Sequence, residues 1–138
     1  MKKYLFNELK IGLSTKYKRK ISNKIIDDYI KLSRDNSPIH TDKIFAKEKG
    51  FNNKIAHGLL LGSIYSKIIG VDLPGKNSLL LNIKIDFIKP IYANDTIITI
   101  AKIIHLNKSF KVATILFSAI NQFKQKVSKA EANVKLNE

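Results

Sequence analysis

Asp35 and His40 stand five residues apart across Pro38, in the run Leu32-Ser33-Arg34-Asp35-Asn36-Ser37-Pro38-Ile39-His40-Thr41-Asp42. A carboxylate takes a proton, an imidazole takes or gives one, and the two held by one rigid turn can bind and activate a water. Pro38 fixes its own φ and pushes Ser37 away from helix, so a helix arriving from the N-terminal side must stop near Asp35. The second chemical feature is His57-Gly58, which opens the apolar run Leu59-Leu60-Leu61-Gly62-Ser63-Ile64-Tyr65-Ser66. A pair of titratable groups facing the start of a buried helix is a reasonable place for chemistry.

The elements that must position these groups follow from periodicity. Residues 1–20 are basic and partly alternating, which suits one or two edge strands, because lysine discourages pairing with strangers. Ser22 can cap a helix in which Ile25, Ile26, Tyr29, Ile30 and Leu32 recur at helical spacing. A short helix over about Asp42–Lys49 should begin at Asp42 as its cap and end at Gly50. From about His57 to Ile69 the chain is apolar nearly all round, which predicts a helix buried on most sides, with Gly62 and Ser63 allowing close approach. Pro74-Gly75 turn the chain, and the period then changes to two. Leu79–Phe87 predicts a half-buried strand, Thr96–Leu106 a second, Phe110–Phe123 a third and Lys126–Leu136 a fourth. Helices followed by an antiparallel meander give an α+β architecture with one helix packed on the sheet.

Composition narrows the rest. A chain of 138 residues, 44% hydrophobic, supports one domain over 1–138. Without cysteine there is no disulfide, thiolate nucleophile or sulfur-ligated metal. The charged opening leads into no apolar stretch long enough for a signal peptide, and the run from Ile55 to Ile69 is too short to span a bilayer. The expectation is therefore a soluble, cytoplasmic protein without a membrane partner. The net charge is +14, from 25 basic and 11 acidic residues. Arg19 and Arg34 are the only arginines, and nucleic-acid readers favour arginine, so the charge reads as a solvated lysine surface with mild attraction for phosphates and no nucleic-acid partner.

The run Asp28–Ser66 resembles the MaoC-like (R)-specific enoyl-CoA hydratase family, whose pattern is roughly Ser-Gly-Asp-x-Asn-Pro-Ile-His-x-Asp, then Phe, then Ile-Ala-His-Gly-Met-Leu. The chain has Ser33-Arg34-Asp35-Asn36-Ser37-Pro38-Ile39-His40-Thr41-Asp42, Phe51 and Ile55-Ala56-His57-Gly58-Leu59-Leu60. The likeness continues through Leu73-Pro74-Gly75 and Phe87-Ile88-Lys89-Pro90-Ile91 to Asp95. It departs at Arg34 and Asn94, where glycine is common, and at Ser37, where asparagine is usual. The resemblance implies a hot-dog fold, an antiparallel sheet wrapped around a central helix starting at His57, assembled as a homodimer with active sites near the interface. It implies hydration of a trans-2-enoyl thioester of coenzyme A, with Asp35 and His40 gripping the water. The Gly58 N–H would donate to the thioester oxygen, where a helix N-terminus favours developing negative charge. Ser66 matches a family serine that supports the site. No metal or cofactor is required beyond the coenzyme A or phosphopantetheine carried by the substrate.

Other readings stand beside these. An aspartate in a turn is usually a cap, and a lone histidine is usually structural. By that reasoning His57 satisfies backbone groups or packs, His105 is structural, Asp42 caps its helix and Asp95 is a turn residue. Lys76, Lys84 and Lys89 are candidates for coenzyme A phosphates. A 3-hydroxyacyl-[acyl-carrier-protein] dehydratase runs the same chemistry backwards on an acidic carrier, and a basic surface suits both. A thioesterase on this fold needs a group aimed at the thioester carbon. A non-catalytic acyl-thioester binding module predicts that Asp35→Asn changes nothing.

Overall fold

The computed structural model describes residues 1–138. After a short turn of 3-10 helix at Phe6–Glu8, strand β1 (Ser14–Lys20) leads into helix α1 (Asn23–Ser33), whose first turn is capped by Ser22 Oγ accepting from the Ile25 N–H at 3.3 Å. Helix α2 (Pro38–Thr41) is a single turn, followed by α3 (Lys43–Glu48). Asp42 caps α3 as its position suggests, taking the N–H groups of Ile44 and Phe45. Helix α4 (Leu59–Lys67) runs on through a π-type turn at Ile68–Asp72. The rest is β2 (Ser78–Phe87), β3 (Thr96–Asn107), β4 (Val112–Ile120) and β5 (Lys126–Leu136), in one antiparallel sheet of order β1-β3-β4-β5-β2.

The sheet closes around α4. Leu60, Leu61, Ile64, Tyr65, Ile68 and Ile69 of that segment are buried on Ala101, Ala113, Phe117, Ala130, Ala132 and other inward side chains of β3–β5. The alanines thin the sheet surface where the helix lies, and each fully buried Leu or Ile contributes roughly 1.5–3 kcal/mol. Tyr65 pins the helix in a defined register: its ring sits 4.8 Å from that of Phe117, and its hydroxyl donates to Ser128 Oγ, which donates to the Asp86 carbonyl. Burial pushes the Tyr65 phenol above its ordinary range, and the Ser128 hydrogen bond opposes this more weakly. This is the α+β arrangement the resemblance implies. No helix is long and apolar enough to cross a membrane.

Several expectations change. Pro38 ends α1 but also opens α2, because a proline at the first helical position loses only a donor that the helix could not use. Phe110 and Phe123 lie in the turns flanking β4, 70% and 73% exposed, so the third strand is shorter than its aromatic ends suggested. In β2 only Ile83 and Ile85 pack on the core, while Leu79, Leu80, Leu81 and Phe87 are exposed on this edge strand. Helix α4 is buried on one side, but Leu59, Ser63 and Ser66 form an open face. His105 is exposed beside an irregularity in the β3–β4 pairing. Asp95 is a turn residue and a buried one, accepting from the Tyr92 N–H and Gln122 Nε2.

Both places where the chain lacks a common glycine are left-handed. Arg34 ends α1 at φ 59°, and Asn94 precedes Asp95 at φ 73°. Asparagine tolerates that region, whereas for arginine it costs on the order of 1 kcal/mol. Arg34→Gly should raise the unfolding free energy by about 0.5–1 kcal/mol, glycine's greater freedom in the unfolded chain offsetting part of the gain. Urea unfolding measures this, and an unchanged midpoint would show that Arg34 sits there without strain.

Candidate active site

The end of α1 aims Asp35. The Asp35 N–H donates to Ser33 Oγ at 3.2 Å, and its Oδ1 accepts the Ser37 N–H at 3.2 Å, an Asx turn leading into Pro38. Its other carboxylate oxygen, Oδ2, points at two imidazoles. His40 Nε2 is 3.9 Å away and His57 Nε2 is 3.7 Å away.

His40 stands on α2. Its Nδ1 donates to the Ile55 carbonyl at 2.8 Å, so in the neutral ring Nε2 keeps a lone pair toward Asp35. The segment that supplies this carbonyl is itself fixed: the Ile55 N–H donates to the Ile39 carbonyl, and the Ala56 N–H to the Ile91 carbonyl. Gly58 then caps α4 with helical dihedrals, φ −57° and ψ −41°. Its N–H donates to no group of the chain. A Cβ at Gly58 would come within 3.0–3.1 Å of three Phe87 ring atoms, so the missing side chain leaves room for that ring.

Two cavities meet at these residues. One, of about 370 Å³, has apolar walls from Phe51, Ile55, Leu61, Phe87 and Ile91. The other, of about 250 Å³, is lined by Tyr29, Ser33, Asp35 and Leu59. His40, His57 and Gly58 border both. An apolar chamber and a more polar one thus share a wall of two imidazoles and a helix N-terminus. The ligand atoms of Asp35, His40 and His57 lie within 4.8 Å of one another, but His57 Nε2 is occupied as a donor, which leaves a cation two free donor groups.

Sequence reasoning assembled Asp35, His40 and Gly58, and the structure brings these three together. Ser66 is not among them: it lies two turns along α4 on the open face and borders neither cavity. Of the three lysines singled out, Lys89 lines the apolar cavity, and Lys76 and Lys84 line neither chamber. His57 does satisfy a backbone group, as its place at a helix start suggests, and through that bond it joins the cluster. Its position before Gly58 was the available signal, but its partner is a main-chain carbonyl 22 residues away, which no side-chain motif records.

A sheet wrapped around a helix, with Asp35 and His40 in a polar chamber that adjoins an apolar one, is an arrangement suited to adding water to a bound molecule or removing it. Residues 7–125 match the MaoC like domain family. The (R)-specific enoyl-CoA hydratase of Aeromonas caviae is 29% identical over 128 residues, 93% of this chain and 96% of that protein. The solved structure of the A. caviae (R)-hydratase involved in PHA biosynthesis superposes with a TM-score of 0.89 at 28% identity, covering 94% of this chain and 98% of that one. A mitochondrial 3-hydroxyacyl-[acyl-carrier-protein] dehydratase of Arabidopsis thaliana is 30% identical over 110 residues, 80% of this chain and 65% of that protein. The chain belongs to the MaoC-like domain family.

Proposed function

We propose that this protein adds water reversibly to trans-2-enoyl-CoA, giving (R)-3-hydroxyacyl-CoA. The observation that carries this reading is the 3.9 Å gap between Asp35 Oδ2 and His40 Nε2. A water making two bonds of about 2.8 Å at about a right angle fits that gap. Asp35 and His40 hold the water at Cβ of the enoyl group, one removes its proton as the oxygen bonds to Cβ, and a proton is delivered to Cα. Water's three atoms end as a hydroxyl on Cβ and a hydrogen on Cα, and the carbon–carbon double bond becomes single. The Gly58 N–H, unoccupied at a helix start, faces the charge that builds on the thioester oxygen during the step. The acyl chain lies in the apolar chamber. The chemistry asks for no metal or cofactor beyond the coenzyme A of the substrate.

Coenzyme A is favoured as the carrier because the A. caviae enoyl-CoA hydratase matches the chain along nearly its whole length. The same site run in reverse on a carrier-protein thioester is the second reading, supported by the Arabidopsis relative and the net charge of +14. We further propose that the working form is a homodimer, since Leu59 on the open face of α4 and the leucines of β2 are apolar side chains left uncovered in one protomer. Sedimentation measures that directly. Loss of the conjugated-thioester absorbance of crotonyl-CoA on adding the protein tests the activity. Turnover of crotonyl carrier protein with none of the CoA thioester would move the assignment to the second reading, and inertness on both would end it.

A further inference from the structure

We infer that His57 is a positioning residue for the proposed hydration, holding Asp35 and His40 in register with Gly58 through its Nε2–H tautomer; the inference rests on the activity proposed above. His57 Nε2 donates to the Asp35 main-chain carbonyl at 2.9 Å. It is the one hydrogen bond joining the turn 33–37 to His57-Gly58, the two residues that lead into α4. The other two bonds that hold Asp35 come from Ser33 and Ser37 within the same exposed turn, where water competes for them. His57 itself is 5% exposed, so its bond is shielded.

The ring also does a second thing. It stacks on the His40 ring, centroids 3.7 Å apart and planes 25° apart, with Tyr29 on it at 4.9 Å. His40 is therefore fixed at Nδ1 by the Ile55 carbonyl and across its face by His57. Because His57 immediately precedes Gly58, one residue sets the carboxylate's turn and the imidazole's plane relative to the helix start.

The remaining nitrogen reveals the tautomer. His57 Nδ1 is buried and has no hydrogen-bond partner. With the proton on Nε2, Nδ1 is a bare lone pair. With the proton on Nδ1, a buried donor would go unsatisfied and Nε2 would face the carbonyl oxygen lone pair to lone pair, which is the costlier arrangement. The environment thus selects one of two forms of the ring, and only that form can hold Asp35.

Two measurements test this. Imidazole 15N shifts of the folded wild-type protein should show a protonated Nε2 and a bare Nδ1 on His57; the opposite tautomer, or exchange between the two, overturns the inference whatever the activity. In kinetics, His57→Phe keeps a ring face without the donor, and His57→Gln returns an amide N–H. His57→Phe should lose about 10²-fold in kcat, the scale of a misplaced catalytic group, with KM changed less than about threefold. His57→Gln should recover roughly tenfold of that. Equal losses in the two variants, or a loss confined to KM, would refute a positioning role. A wild type inert on every thioester is a separate outcome that strikes the activity, and the 15N result still decides the tautomer.

Discussion

Asp35→Asn and His40→Asn should each lower kcat/KM for crotonyl-CoA by about 10²–10⁴-fold, the usual range for loss of a positioned acid or base. The substitutions are chosen to keep the local structure. In Asp35→Asn the amide oxygen can still accept the Ser37 N–H, so the turn keeps its Asx bond while the carboxylate is lost. In His40→Asn the amide N–H falls near the place of Nδ1 and can still donate to the Ile55 carbonyl, while nothing remains where Nε2 faces Asp35. Asp35 is half exposed, so its substitution opens no cavity. Residues that act on one water act as a unit, and the double variant should be little worse than the poorer single one. Either single variant retaining a tenth of wild-type activity with an unchanged unfolding midpoint would rule the pair out as the acid–base machinery.

The second large effect falls on Gly58. Gly58→Ala should lower kcat/KM by about 10–10²-fold, somewhat less than deleting an oxyanion donor because the N–H itself remains. Its φ of −57° is ordinary for alanine, so the backbone does not object. The new Cβ meets the Phe87 ring at 3.0 Å, and Phe87 is 52% exposed and free to swing. Thermal stability should therefore change little, because alanine's lower freedom in the unfolded chain is offset by glycine's advantage at a helix cap. The double variant Gly58→Ala/Phe87→Ala separates two causes. If activity returns, the displaced ring had invaded the chamber; if it stays lost, the methyl group itself blocks the thioester oxygen. A fully active Gly58→Ala enzyme would place the oxygen elsewhere.

How much of this was legible beforehand depends on how local its cause is. Ser22 and Asp42 announce α1 and α3 because capping is an exchange between a side chain and the two or three residues after it. Asp35, His40 and Gly58 were legible through a motif whose spacing is short. What the sequence hid was decided across distance. Alternation in β2 shows that one face is apolar, and cannot show that Leu79 and Leu81 lack a covering layer in one protomer. Phe110 and Phe123 have strand-forming side chains but sit where the chain reverses. His57 acts through a carbonyl and a stacked ring, and neither leaves a pattern in residue types. Arg34 and Asn94 looked like departures from a pattern, and their positive φ values show that glycine is common there for conformational reasons.

The two edges of the sheet are chemically opposite. Strand β1, on one side, carries Lys16, Lys18, Arg19 and Lys20 in seven residues, and β2, on the other, offers Leu79, Leu80 and Leu81. A lysine-rich edge repels an incoming strand, and an apolar one invites it. A sheet with two inviting edges can extend indefinitely, copy after copy. A sheet with one can join a second copy through that edge alone, and the two guarded edges then face outward. In the proposed homodimer, pairing through β2 would therefore end growth at two chains, a closed pair related by a twofold axis, with no open end from which a fibre could continue.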